Sequence, residues 1–193
     1  MRHKYATPAI VLSRIPLSEA SALITLLTAD VGLVRARAQG VRKPGAKMAS
    51  ALQTFVESDV MLLRGKEGWR LAGALHTVDW FGKLSRPARL RAGRIATLLL
   101  RLVHGESAEA SAIFYTIFLE FLRALVDHTE QEEEADAAEC LAALRILRAL
   151  GVDAGDIPGG LSGDYSSETL TEVISSRADV VSRINKGISA SGL

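Results

Sequence analysis

Apolar residues in this chain change their spacing once, near Ser85, and that switch constrains the fold more than any other feature. Before it they come in short runs or with period two. Ala9-Ile10-Val11-Leu12 and Leu23–Thr28 are such runs, with a turn at Ala29-Asp30-Val31-Gly32. In Leu33–Gln39, residues Leu33, Arg35, Arg37 and Gln39 fall on one side and Val34, Ala36 and Ala38 on the other. Strict alternation of this kind marks a half-buried strand. Leu52–Arg64 and Trp69–Trp80 read as two further strands, joined by a hairpin turn at Gly65-Lys66-Glu67-Gly68. After the switch, Ile95, Leu98, Leu99 and Leu102 recur at helical spacing up to His104-Gly105.

The helix signals from Ser85 onward are local and chemical. Ser85-Arg86-Pro87 offers a capping hydroxyl with proline just inside the helix start. Ser107 is placed to cap a second helix running through Ile113, Ile117, Phe118, Phe121, Leu122 and Leu125. A third spans about Ala135 to Leu150, with Glu132-Glu133-Glu134 at its dipole-matched start and Gly151 at its stop. Loops are expected at Asp156–Gly160 and Ser162–Ser167. One last helix is expected from Glu168 to Ser189, with Thr169 and Glu172 at capping-box spacing. Five short antiparallel strands ahead of a run of helices predict an α+β chain. Its N-terminal part is a five-stranded barrel, most commonly an OB-fold, and an all-α domain follows. The expected domains are 1–82 and 83–193.

Charge follows the same division. Residues 1–94 carry 16 Lys and Arg against 6 Asp and Glu, so the remainder carries 7 against 16, although the net charge is only +1. Such asymmetry points to a polyanion for the first part, or to two parts that neutralise each other. The excess peaks in Val34–Met48, where Arg35, Arg37, Arg42, Lys43 and Lys47 stand without one acidic residue. Two arginines on one strand face followed by a flexible basic loop suit phosphate contacts. Arg64, Lys66 and Arg70, around the hairpin turn, complete the candidate nucleic-acid-binding set. Phe55, Trp69, Trp80 and Phe81 are the nearby aromatic candidates for stacking on bases.

Other chemistries find little support. One cysteine, Cys140, excludes an internal disulfide and a four-cysteine zinc site. It reads as a small buried hydrophobe on its helix. His3, His76, His104 and His128 are scattered, with no metal-ligand spacing. Gly40, Lys43 and Gly45 do not make a P-loop. No catalytic residues, metal or cofactor are expected. No apolar run nears the roughly 20 residues of a membrane span, and Met1-Arg2-His3-Lys4 heads too short an apolar stretch for a signal peptide. A soluble, cytoplasmic protein is the expectation.

The series Ala9-Ile10-Val11-Leu12-Ser13-Arg14, Ser18-Glu19, Leu26-Leu27-Thr28, Gly32-Leu33, Ala38-Gln39-Gly40-Val41-Arg42-Lys43 and Leu52-Gln53-Thr54-Phe55 resembles the N-terminal region of the RecO family of bacterial DNA repair and recombination mediators. The ending Arg183–Leu193 resembles the tail of some short members. The resemblance implies an OB-fold, a helical domain and a non-catalytic role at the nucleoid. It implies binding of single- and double-stranded DNA and annealing of complementary strands. It also implies partnership with RecR to load RecA on strands coated by single-stranded-DNA-binding protein. The family's four-cysteine zinc module is one this chain cannot build. The resemblance places the acidic, hydrophobic tail of the single-stranded-DNA-binding protein on the helical domain. Arg145 and Arg148, flanked by Leu144, Ile146, Leu147 and Leu150, are the candidate dock. An RNA-binding barrel and a protein-interaction scaffold are the rival readings.

Overall fold

The computed structural model describes residues 3–43, 45–103, 108–128 and 131–192, with the side chains of 108–111 left aside. Pro44 of the basic loop and His104, Gly105 and Ser107, named above at helix ends, therefore lie outside the described residues. The chain divides into two compact units, Met1–Gly82 with Gly105–Tyr115 and Lys83–His104 with Thr116–Leu193.

The first unit is built on a closed barrel of five strands: β1 (His3–Pro16), β2 (Ala22–Thr28), β3 (Gly32–Ala38), β4 (Val56–Gly65) and β5 (Gly68–Asp79), in the order β1-β2-β3-β5-β4. All neighbours are antiparallel except β3 and β5, which pair in parallel. This is the expected OB-fold barrel. Val11, Ile24, Leu26, Val34, Leu62 and Leu71 are among the side chains that fill it. The β2–β3 turn is fixed by Thr28. Its hydroxyl donates to the Gly32 carbonyl (2.9 Å) and accepts from the Val31 amide (3.0 Å), while Gly32 adopts φ 102°.

Two strand boundaries differ from expectation. β1 begins at His3 rather than Ala9, because it pairs with β4 from His3↔Arg64 onward, ahead of the buried apolar run. β4 begins at Val56 rather than Leu52. Ser50–Leu52 is a single 3-10 turn, and Phe55 sits at φ 61°, a backbone region costly for a bulky residue. Two backbone bonds hold it there: its amide donates to Val11 (2.8 Å) and its carbonyl accepts from Trp80 (3.1 Å). β5 ends at Asp79, and Trp80 opens a short helix, α1 (Trp80–Lys83).

Helices follow: α2 (Arg86–Leu102), α3 (Ala108–Asp127), α4 (Glu132–Ala149), α5 (Ser167–Ser175) and α6 (Arg177–Ala190). Ser85 caps α2 by accepting from the Ala88 amide, with Pro87 in the first turn. At the end of α4, Gly151 at φ 75° lets Val152 donate back to Leu147 and Gly151 to Arg148, the left-handed stop that glycine permits. The expected last helix is two. Its cap is Ser166, which accepts from the Thr169 amide, and Thr169 lies inside α5. It breaks at Ser176, where Ser175 and Ser176 turn their hydroxyls back onto the carbonyls of Thr171 and Glu172, a local competition that bends helices.

The second unit also consumes charge. Of the 16 bases in residues 1–94, Lys83, Arg86, Arg89, Arg91 and Arg94 belong to it. Arg91 is buried and bonds Asp136 through Nε (3.0 Å) and Nη2 (2.5 Å); Arg94 forks onto Glu139. Five of the ten excess charges counted at the N-terminal side thus belong to the second unit, two of them paired with α4 carboxylates, and the barrel's own excess is smaller.

Candidate nucleic-acid interface

The interface starts from the alternation in β3. Val34, Ala36 and Ala38 are buried in the barrel, so Arg35, Arg37 and Gln39 stand outside and exposed. A slip of one residue would put both arginines in the core, which fixes the register. β5 adds Arg70, the register partner of Arg37, exposed on the same outer side while its neighbour Trp69 points inward. Arg70 Nη2 donates to Gln39 Oε1 (3.1 Å). Among the described residues, neither Arg35 nor Arg37 forms an ion pair.

The segment after β3 is basic but not loose. Val41 is buried with the barrel core, and its carbonyl accepts from Arg14 (3.4 Å). The Arg42 amide donates to Ala20 (3.3 Å) and its guanidinium to the Ser18 carbonyl. The expected flexible loop is therefore pinned to the β1–β2 connection and presents Arg42, Lys43 and Lys47 at its exposed surface. Gly40 and Gly45 adopt φ 74° and 73° with open space around them, so these glycines serve the backbone turn and not a close approach.

Arg64 and Lys66 are set apart from this group. Arg64 is the register partner of Trp69 and lies over its ring at 4.9 Å, on the side of the strand opposite Arg70. Lys66 is at the tip of the β4–β5 hairpin. The aromatic candidates also separate: Phe55, Trp69 and Trp80 are core residues and only Phe81 is exposed. Trp80 Nε1 donates to Glu57 Oε2 (2.9 Å), and the Tyr115 hydroxyl donates to Glu57 Oε1 (3.0 Å). Tyr5, half exposed and edge-on to Trp69 at 5.2 Å, and the exposed Lys4 beside it were missed. Both precede the apolar run from which the strand was read, and the pairing of β1 with β4 is what extends it over them.

Arg145, a candidate for the dock, is spent inside the fold. Its side chain is 0% exposed. Nε donates to Gly160 (2.9 Å), Nη1 to Gly163 (2.8 Å), and Nη2 to Pro158 (3.3 Å) and Asp164 (3.1 Å), all backbone carbonyls. Its guanidinium stacks 4.6 Å from the Tyr165 ring, whose phenol burial pushes up to about 12. Gly163 has to be glycine: a Cβ there would meet the Gly159 carbonyl oxygen at 1.7 Å. The loop 156–165 is folded around this arginine. Arg148 is exposed and donates to the Asp153 carbonyl (3.1 Å), and Leu144, Ile146 and Leu147 are fully buried, so they supply no groove beside it.

His128 is satisfied on both ring nitrogens, by Glu134 (2.5 Å) and the Tyr165 carbonyl (3.1 Å). Cys140 is only partly buried, and burial pushes its thiol up. Among the described residues no three His, Cys, Asp or Glu side chains are grouped to hold a metal, and no helix is long and apolar enough to cross a membrane.

Residues 1–75 match the family model described as "Recombination protein O N terminal". Curated relatives carry the name "DNA repair protein RecO". One from Gloeobacter violaceus is 33% identical over 126 residues, covering 64% of this chain and 48% of the relative. One from Synechococcus elongatus is 45% identical over 71 residues, covering 37% and 27%. One from Dehalococcoides mccartyi is 30% identical over 131 residues, covering 68% and 51%. The chain thus spans at most about half the length of these relatives.

Proposed function

We propose, from a barrel that matches the recombination protein O N-terminal family model, that this chain is a DNA-binding recombination mediator in DNA repair. The barrel grips DNA phosphates with Arg35, Arg37 and Arg70 on its outer face and with Arg42, Lys43 and Lys47 on the adjoining loop. Arg64 and Lys66 are outlying contacts. The chain binds single and double strands, brings complementary strands together and, with RecR, helps RecA onto strands coated by single-stranded-DNA-binding protein. The residues from 83 onward face protein partners. The role is non-catalytic, since holding and aligning strands asks only for charge and shape.

The observation that carries this reading is the exposed arginine face of β3, whose guanidiniums no acidic side chain occupies among the described residues. Phosphate contacts draw their affinity from released counterions, and an arginine already neutralised by a carboxylate has less to offer. Scarcity of exposed aromatic rings fits contacts that follow the backbone and tolerate any sequence. The test is annealing of complementary strands, one coated by single-stranded-DNA-binding protein, at two salt concentrations. Acceleration should weaken with salt and vanish when Arg35, Arg37, Arg42 and Lys43 are neutralised together. Intact DNA binding without annealing would reduce the chain to a nucleic-acid-binding barrel.

A further inference from the structure

The barrel closes at its weakest ladder, and the two residues at that closure repel each other. β3 and β5 are joined by two register pairs, Ala36↔Trp69 and Arg37↔Arg70, whereas β2 and β3 share seven. The first pair points inward: Ala36 and Trp69 belong to the core. The second points outward and sets two guanidinium-bearing side chains on adjacent strands, whose backbones run about 4.8 Å apart. Like charges directly opposite on a sheet are destabilising. Gln39 accepts one N–H of Arg70 (3.1 Å), and among the described residues no carboxylate answers either arginine. The repulsion therefore falls where the ladder has fewest bonds to resist it.

We propose that a phosphate group bridges Arg37 and Arg70 and thereby fastens the β3–β5 seam. A phosphodiester has two free oxygens, and each guanidinium presents a planar fork of N–H donors that matches them. One anion between two cations turns the repulsion into two attractions. Because that arrangement exists only when β3 and β5 are in register, binding favours the closed seam over its local opening, by ordinary mass action. Seam and DNA grip are thus coupled: the bound strand is held by the barrel and the barrel is held shut by the strand. The source of the phosphate, a nucleic-acid backbone, rests on the function proposed above. The seam site itself rests on register, exposure and charge.

The experiment is amide hydrogen exchange of the full chain at residues 36–38 and 69–71, alone, with a short oligothymidylate, and with pyrophosphate. Arg37→Gln, Arg70→Gln and Arg35→Gln variants are measured alongside. Both probes should slow exchange at the seam. Arg37→Gln or Arg70→Gln should slow it already in the free protein, by about threefold, and should remove most of the further slowing by either probe. Arg35→Gln should leave free-state exchange at the seam unchanged while weakening the oligonucleotide. If the oligonucleotide binds and the seam amides do not respond, the seam proposal is overturned and DNA binding stands. If pyrophosphate protects the seam but no oligonucleotide binds, the seam site stands and the proposed function falls. If the free Arg37→Gln protein exchanges faster at the seam, the arginines do not repel and the proposal is wrong.

Discussion

Arg37 and Arg145 are the same residue type put to opposite uses. Arg37 stands on the outside of a strand, with no ion-pair partner among the described residues. Arg145 is buried to 0% exposure and spends its donors on the carbonyls of four loop residues. The two units repeat the contrast. In the helical unit, Arg91, Arg94 and Arg183 each meet a carboxylate, whereas the β3 arginines of the barrel meet none among the described residues. A base is evidence for a partner only after its internal acceptors have been counted. A sequence displays the bases and hides the acceptors, above all when these are backbone carbonyls.

The contrast breaks first at Arg145. Arg145→Ala leaves several buried carbonyls unpaired and should cost at least about 3 kcal/mol, read as a lower midpoint in thermal or urea unfolding. Arg145→Lys should recover little, because a point charge cannot span carbonyls from Pro158 to Asp164. Arg37→Ala should leave the midpoint nearly unchanged or slightly raised and should weaken DNA. A DNA defect in Arg145→Ala at full stability would erase the distinction between the two arginines.

The next effect is electrostatic. If about five charges of the barrel contact a single strand, log affinity falls with log salt at a slope of roughly −3.5. Arg35→Ala or Arg42→Ala should each flatten the slope by about one unit, uniformly over DNA sequences. Titration against salt by fluorescence anisotropy reads this directly.

Acid sharpens the contrast from the other side. Arg183 donates to both Asp153 carboxylate oxygens, at 3.0 and 2.7 Å, and this pairing holds the Asp153 carboxyl below the usual aspartate range. A depressed carboxyl stabilises the fold above its unfolded value of about 3.9 and loses that contribution as pH falls through the folded value. Unfolding measured downward from about pH 4 should therefore show a loss of stability that Asp153→Asn lacks. The variant should be the less stable one near neutrality, and the two should converge in acid.

Arg64→Gln is the smallest change. It removes the cation over the Trp69 ring and should cost about 0.5–1 kcal/mol without flattening the salt slope by a full unit. A full unit would place Arg64 with the β3 arginines, where its register with Trp69 does not put it.

The barrel was legible where one face is wet. The alternation in Leu33–Gln39 gave strand, register and outward arginines together, because only one phase buries Val34, Ala36 and Ala38. The hairpin at Gly65–Gly68 was legible for the same reason, since its flanks pair residue by residue up to Gly65↔Gly68. The start of β1 was not, because Tyr5, Ala6 and Pro8 are exposed and show no apolar pattern. Nor was the start of β4, which depends on Phe55 accepting φ 61° under two tertiary backbone bonds. The role of Arg145 had one trace in the sequence, the run Pro158-Gly159-Gly160 with Gly163 shortly after. Such glycines mark a loop that must wind tightly, but not what it winds around. The pairing of Arg37 with Arg70 had no trace, since a parallel register across 32 intervening positions is set by barrel closure alone.

The most direct measurement is the salt dependence of oligothymidylate binding by the full chain and by its Arg35→Gln, Arg37→Gln, Arg70→Gln triple variant, with thermal unfolding recorded on both. The triple variant should be at least as stable as the parent, with its slope flattened by about two to three units and its affinity lost at physiological salt. A triple variant that binds with the parent's slope would move the DNA contact off the outer face of β3 and β5.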